Sequence, residues 1–347
     1  MSGRRSLRVR TTLHLAAASC ALALTAAGCA PPGDAGAQGK EGPAHEPVGR
    51  AAPAKGSPYW TDPQSPAARQ VEEYEAQGRT GDAKLLRRIS ERPAAQWPAW
   101  NGPAPDIRRA VRGAAPGKQK VVLVAYNIPH RDCGMYSKGG AASAEAYRDW
   151  IGEFARAIGD APAVVVLEPD AVPHMVDGCT PAQYHEERYG LLAEAVGRLK
   201  RQPHTRVYLD AGNPAWIKDP GKLVEPLRRA GLTEADGFAL NVSNFQTTTS
   251  VTAFGAQLSA LLGGAHFIVD TSRNGAGPLA GDGEEAWCNP PGRALGTPPT
   301  EDTGDERVDA YLWIKRPGES DGTCRGGPAA GTWWPEYALG LARRAKA

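Results

Sequence analysis

Val121-Val122-Leu123-Val124-Ala125-Tyr126, running straight into Asn127-Ile128-Pro129-His130-Arg131-Asp132, is the stretch that decides the fold. An unbroken apolar run rich in Val and ended by Asn and Pro reads as a strand buried on both faces. A strand with one wet face would alternate polar and apolar residues instead. Working outward, the same pattern recurs at Val164-Val165-Val166-Leu167, Val207-Tyr208-Leu209, Phe238-Ala239-Leu240, Phe267-Ile268-Val269 and Leu312-Trp313-Ile314. Helical spacing fills the gaps. From Ser143 to Ile158 it puts Tyr147, Trp150, Ile151 and Phe154 on one face, with Ser143 as N-cap. Pro181 to Leu199 reads as a helix with Thr180 as its cap and Pro181 in its first position. Lys222 to Ala230, Thr252 to Leu262 and Pro335 to Arg344 complete the set. Strand–helix alternation with fully apolar strands implies an α/β chain, a parallel sheet covered by helices. A doubly wound sheet is one solution. The length favours a barrel, with six clear strands where a regular barrel has eight.

The chain has 347 residues, and 40 Lys+Arg stand against 38 Asp+Glu. That balance argues against nucleic acid as the main partner, because such binders carry a strongly basic face. A hydrophobic fraction of 41% is enough for a sizeable core and excludes global disorder. Nine Trp against five Phe is unusual. Core packing absorbs most Trp, but sugar-binding clefts also use indole faces.

Arg4, Arg5, Arg8 and Arg10 precede an apolar stretch from Leu13 to Ala27. The stretch is short for a membrane span and right for a signal peptide. Arg4-Arg5-Ser6-Leu7 is a loose twin-arginine match. Ala26-Ala27-Gly28-Cys29 resembles a bacterial lipobox, with Ala where Leu is usual. Residues 1–28 are therefore expected to be an export signal. Cys29 is then either a lipid site, the single link to a membrane, or the start of a secreted chain. Residues 29–56, rich in Pro, Gly, Ala and charge, read as a disordered spacer, and residues 57–347 as one domain, expected to be monomeric.

With Cys20 in the leader and Cys29 accounted for, Cys133, Cys179, Cys288 and Cys324 remain, an even number in an oxidising compartment. Four Cys allow three pairings. Sequential pairing, Cys133–Cys179 and Cys288–Cys324, joins neighbouring segments and is the expectation. The first such loop is worth about 4 kcal/mol in the chain-entropy account. With no CxxC and no close Cys/His cluster, the sequence gives no support for a metal site.

Acids recur just past the strands: Asp132, Glu168-Pro169-Asp170, Asp210, Asp270, and Asp321 beyond Lys315. One such Asp is ordinarily a turn or a helix cap. Five fall on the face where parallel barrels carry chemistry. Carboxylates converging on one cleft split their pKa values, so that one stays protonated while another stays ionised. Glycoside hydrolysis needs that division. A divalent metal is the rival use of clustered Asp, and the neighbouring Trp and Tyr favour sugar.

These blocks resemble glycoside hydrolase family 6, the inverting cellulases. The matching stretches are Tyr126 to Cys133, Leu167-Glu168-Pro169-Asp170, Leu209-Asp210-Ala211-Gly212, Asn241-Val242-Ser243-Asn244, Asp270 to Gly275, Trp287-Cys288-Asn289-Pro290, and Trp313-Ile314-Lys315 through Gly318-Glu319-Ser320-Asp321-Gly322. They stand in family order over nearly the whole domain. The resemblance implies a single catalytic domain, a distorted parallel (β/α) barrel with fewer than eight strands. It implies hydrolysis of β-1,4-glucan with no cofactor. By position, Asp170 is the general acid. Asp132 sits beside it, keeps its pKa high and helps handle the water, with Arg131 in contact with the pair. Asp321 is the candidate base, with a water chain through Asp132 as the rival account. Asp210 supports positive charge near the reacting sugar, and Tyr126 presses the ring toward a distorted shape. Lys315, Glu319, Asn244 and Arg293 hold sugar hydroxyls, while Trp97, Trp216 and Trp287 match stacking positions. Both sequential Cys pairs match the family's disulfides. Two positions depart from the pattern. Asn213 stands where the family has His, and Ser137 followed by Lys138 stands where a single Ser holds the water or sugar.

The family's exo-enzymes roof the cleft with long loops, one between the last two Cys. Here only 36 positions separate Cys288 from Cys324. An open cleft and internal cutting follow, on soluble or amorphous glucan, since no aromatic-rich binding module is visible. The alternatives are an exo-acting cellobiohydrolase, a glycan-binding protein of the same fold without catalysis, and a metal-dependent hydrolase.

Overall fold

In the computed structural model, which describes residues 56–281 and 286–346, six parallel strands lie side by side in chain order. They are β1 (Val121–Ala125), β2 (Ala163–Leu167), β3 (Thr205–Asp210), β4 (Gly237–Leu240), β5 (His266–Asp270) and β6 (Val308–Leu312). The helices are α1 (Pro66–Ala76), α2 (Thr80–Ser90), α3 (Ala104–Ala114), α4 (Ala144–Ile158), α5 (Pro173–Val176), α6 (His185–Leu199), α7 (Gly221–Arg229), α8 (Thr248–Leu261) and α9 (Pro335–Arg344). The sheet curls into the half-barrel that a short strand count implies. The expected leader, Cys29 and the spacer up to residue 55 lie outside the described residues.

Register explains why the strands read as continuous apolar runs. Val122 pairs with Val164, and Val124 with Val166 and then Tyr208, so one face of the sheet forms an inner core completed by Ala239, Ile268, Ala310 and Leu312. Residues of the other phase, Leu123, Val165, Val207, Phe238 and Phe267 among them, pack outward against the helices. Both faces are dry because helices cover one and the curled sheet encloses the other.

β1 and β6 are not neighbours, and residues 95–97 link them. Ala95 N–H donates to Trp313 O at 2.9 Å, Gln96 N–H to Val122 O at 2.8 Å, and Val124 N–H to Gln96 O at 2.9 Å. This staple satisfies backbone groups that open sheet edges would leave unpaired. It also carries Trp97 to the rim.

Several elements differ from the sequence reading, α8 among them in starting at Thr248 instead of Thr252. The last strand runs Val308–Leu312 instead of 312–314, because its buried residues alternate and hide the run, while Trp313 and Ile314 are buried by tertiary contacts beyond its end. Thr180 does not cap a helix. Pro181 is extended, α6 starts at His185, and Thr180 Oγ1 accepts from buried Arg188 at 2.7 Å. Residues 66–114, unassigned from sequence, form α1, α2 and α3; α1 and α2 share a core with α9.

Ser143 does cap α4, accepting from Ala146 N–H at 3.2 Å. Ser143→Ala is expected to cost about 1 kcal/mol in urea unfolding with activity unchanged. A loss near zero would deny the cap.

Candidate active site

The loops at the C-terminal ends of the strands are held by two buried acids, each accepting several backbone N–H bonds. Glu168, after β2, accepts from the N–H groups of Asn127 and Ile128 at 2.9–3.0 Å and so fixes the loop that carries Tyr126, Arg131 and Asp132. Burial raises its pKa to about 7 against those bonds. Asp270, at the end of β5, accepts from the N–H groups of Ser243, Ser272, Ile314 and Lys315 at 2.9–3.2 Å. It ties the loops after β4, β5 and β6 together. The run of acids past the strands therefore mixes loop fasteners with reactive groups.

Asp170 and Asp210 form the central pair. Asp210, the last residue of β3, is 1% exposed and accepts from the Asp170 N–H at 2.8 Å. Burial lifts its pKa to about 7, opposed by N–H donors from Asp170, Gly212 and Ala211. Burial, then the charge of Asp210, then that of Asp132 push Asp170 well above the carboxylate range, against a hydrogen bond from Tyr126. The two carboxyls titrate as a pair. Burial also raises Asp132, although Ser137 N–H donates to it at 2.5 Å.

Asp321 lies in the opposite environment. Arg273, fully buried, donates to its Oδ2 at 2.8 Å, Asn289 N–H donates at 3.0 Å, and Lys315 Nζ stands 3.4 Å from Oδ1. Burial alone would raise this acid, but Arg273 and then Lys315 hold it below the usual range.

Left-handed backbone clusters here. Asp132 (φ 59°), Glu168 (φ 48°), Asp170 (φ 68°), Asn241 (φ 65°), Ser243 (φ 56°) and Asn289 (φ 44°) all adopt positive φ without being glycine. Each costs free energy that the surrounding hydrogen bonds must offset, and such strain concentrates at functional sites.

Trp97, Tyr126, Trp216 and Trp287 are each half-buried. Trp97 meets Tyr126 edge-on at 5.5 Å and donates to Ile314 O at 2.9 Å. Trp216 donates to Asp177 at 2.7 Å and meets His174 at 4.9 Å. Asn213 is 3% exposed, and its Oδ1 accepts from the N–H groups of Ala215 and Trp216 at 3.1 and 3.2 Å. In the place of the family His, it caps the turn that presents Trp216. Trp287 faces Tyr136 at 6.1 Å. Tyr136 also lies over Gly322, where a Cβ would fall 2.4 Å from its ring.

Several expected sugar contacts are engaged within the protein. Arg131 lowers the Asp132 pKa through its charge, against the burial that raises it, with its direct bonds going elsewhere. Its guanidinium lies 4.3 Å from the Tyr126 ring centre and donates to Tyr126 O at 2.5 Å and Ser137 O at 2.8 Å, because the tight turn after Asp132 brings those carbonyls closer. Arg293 donates to the carbonyls of Pro291, Ala276 and Gly277 and braces a loop. Glu319 pairs with Arg316 at 2.8 Å, and Asn244 accepts from Phe245 N–H. Lys315 also donates to Ser320 O at 3.2 Å. Lys138 is exposed, and Ser137 is the neighbour tied to Asp132. Arg273, Asn289 and Tyr136 carry no role in the sequence reading, and Glu168 appears there only as one of the recurring acids. Arg273 had a readable signal, a cation three residues past a strand that ends in Asp.

The disulfides are Cys133–Cys179 and Cys288–Cys324, as expected. The first anchors the residue after Asp132, and the second lies beside Asn289, whose amide donates to Cys324 O. Cys133, His174 and Cys179 bring donor atoms within 4.8 Å of one another. Both sulfurs are in the disulfide, so no thiolate remains to bind a metal.

One carboxyl pressed toward its protonated form, another locked as an anion, and a rim of half-buried Trp define a glycoside hydrolase of the acid–base type. The family model described as Glycosyl hydrolases family 6 matches residues 54–345, and the chain belongs to that family. It is 45% identical over 292 residues to "Endoglucanase 1" of Streptomyces halstedii, covering 81% of this chain and 87% of the relative. A cellobiohydrolase of Pyricularia oryzae is 32% identical over 257 residues, covering 64% of this chain and 52% of that protein. The endoglucanase Cel6 of Mycobacterium tuberculosis, solved with methyl-cellobiosyl-4-deoxy-4-thio-β-D-cellobioside, superposes with a TM-score of 0.77 at 41% identity, covering 84% of this chain and 99% of the other.

Proposed function

We propose that the protein is an exported endo-β-1,4-glucanase that cleaves cellulose or a related β-glucan with inversion. The opposed environments of Asp170 and Asp321 carry the reading. Asp170, kept protonated, delivers its proton to the leaving glycosidic oxygen. Water attacks the anomeric carbon from the opposite face. Asp321 is a poor nucleophile and a weak base, because both oxygens face cations or N–H donors. Asp132, raised by burial, is the better proton acceptor, so the proton from the water passes toward Asp132 while the Asp321 anion stabilises the positive charge that develops on the sugar. Asp210 holds the Asp170 backbone and raises its pKa. Tyr126 bears on the reacting ring, and Trp97, Trp216 and Trp287 offer faces to neighbouring glucose units. Lys315, Glu319, Asn244 and Arg293 shape the cleft through the loops they brace.

The endoglucanase relatives support internal cutting, as does the short span between Cys288 and Cys324. The relevant contrast is viscosity against reducing ends on carboxymethylcellulose, with residues 57–347 as enzyme. A steep viscosity fall at few new ends is expected. Ends accumulating at nearly constant viscosity would mean exo action. The disulfides and leader support secretion, with Cys29 lipidation as the surface-anchored form.

The pH profile follows from the same groups. Activity falls as pH rises through the raised pKa of Asp170, which must be protonated. It falls on the acid side as Asp132, the proton acceptor, protonates, above the ordinary carboxylate range because burial raises it, while Asp321 protonates only at lower pH. In Asp210→Asn the charge that raises Asp170 is gone, so the alkaline limb of kcat/KM on a soluble cello-oligosaccharide should move to lower pH. A limb that stays in place would remove Asp210 from this role.

A further inference from the structure

On the outer side of the loop after β1, away from the inner core where Trp97 and Tyr126 meet, lies a groove of about 510 Å³. That volume is within the range of roughly 300–1,000 Å³ that small-ligand sites occupy. Its walls include Trp100, Asn127 and Gly140, and the α4 residues Asp149 and Glu153.

Three observations coincide there. Trp100 is 65% exposed, yet its backbone is fastened on both sides. Asn127 Nδ2 donates to Trp100 O at 3.3 Å, Trp150 Nε1 donates to Ala99 O at 3.2 Å, and Ala99 N–H donates to Asp106 at 3.1 Å. The indole thus projects from a pre-ordered support, and little entropy is lost when a ligand settles on it. Second, Asn127 is 2% exposed, and its Oδ1 has no hydrogen-bond partner. A buried acceptor left unmatched costs free energy, and a turn of the amide toward the groove would let a ligand's donor recover it. Third, no ion pair among the described residues engages Asp149 or Glu153.

A flat aromatic face, free carboxylates and an unmatched amide oxygen suit a ligand with an apolar face and a fringe of hydroxyl donors. A hard metal ion takes oxygen ligands and would leave the indole unused, and an apolar peptide would not use the acids. We propose that this groove is a second binding site for a β-1,4-glucan chain, outside the catalytic cleft. It would hold polymeric substrate on the flank of the loop that carries Asp132. The proposal rests on the glucanase reading for its ligand, and its test separates the two.

The test is affinity electrophoresis of the wild type, Trp100→Ala and Trp100→Phe through gels containing hydroxyethylcellulose, with initial rates on cellotetraose and on the polymer. Loss of an exposed aromatic anchor should weaken retention about tenfold in Trp100→Ala. Polymer hydrolysis should fall with it, cellotetraose kcat/KM should stay at the wild-type value, and Trp100→Phe should recover retention. Unchanged retention of Trp100→Ala would overturn the proposal. So would a parallel fall on cellotetraose, since Trp100 would then belong to the cleft. Wild type that is retained by the gel but cleaves neither substrate would sink the glucanase reading and leave the binding groove standing.

Discussion

Asp170→Asn is expected to lower kcat on polymeric β-glucan by about 10²–10⁴-fold, the usual worth of a positioned general acid. The fold should be untouched. Asp170 sits at φ 68°, and Asn tolerates left-handed backbone better than Ala does. The backbone N–H that Asp210 accepts is also kept. The decisive comparison is between leaving groups. A cellobioside of an acidic phenol needs little protonation as it departs, so the variant should retain far more activity on it than on glucan. Equal losses on both substrates would mean that Asp170 acts by binding or by shaping the cleft. Near-wild-type turnover of glucan would remove it from the mechanism.

The second large effect is on stability. Arg273 has no exposed surface and makes the shortest ion contact to Asp321, at 2.8 Å. Its other arm donates to Ser243 O at 2.5 Å, and its guanidinium lies 4.3 Å from the Phe245 ring centre. Arg273→Met keeps much of the volume and leaves the Asp321 carboxylate buried with only Lys315 nearby. Breaking a buried pair from one side costs about 3–5 kcal/mol, to be read by urea unfolding at pH 7. The sign of the pH dependence is fixed. The folded pKa of Asp321 is depressed, so its ion pair stabilises the wild type above the unfolded carboxylate value. That contribution fades as pH falls through the folded pKa. In the variant the same buried carboxyl takes up a proton at higher pH, so the gap between the two proteins narrows on acidification. A gap below about 1 kcal/mol, the level of an ordinary substitution, or one that does not change with pH, would contradict this account of the pair.

How much of this was legible in sequence depended on the kind of signal. β1 to β5 announced themselves because each carries an unbroken run of at least three buried apolar residues. β6 was displaced because Asp309 and Tyr311 interrupt its apolar run, Asp309 accepting from the Tyr208 hydroxyl and pairing with His266 while Tyr311 donates to Thr303 O. Helices α1 and α2 lacked an adjoining apolar strand to frame them. The acids were visible one by one, but their division was not. Glu168 and Asp270 look like Asp170 and Asp210 in sequence, and only the N–H groups pointing at them mark them as fasteners. Asn213 looked like a weakened sugar ligand and is a turn cap. Arg131, expected beside the Asp132–Asp170 pair, and Arg293, expected to hold a sugar hydroxyl, both donate to backbone carbonyls, a use of their guanidinium groups that the sequence does not display.

The most direct test of the central claim is the anomer released first. Cellotetraose is cleaved by residues 57–347, and the new reducing end is followed by proton NMR before mutarotation. The separate roles of Asp170, as acid, and of Asp132 and Asp321, around the water, predict that the α-anomer appears first and then relaxes toward the equilibrium mixture. Initial formation of the β-anomer would mean a covalent intermediate on one of these carboxylates, and the assignment of roles would be wrong.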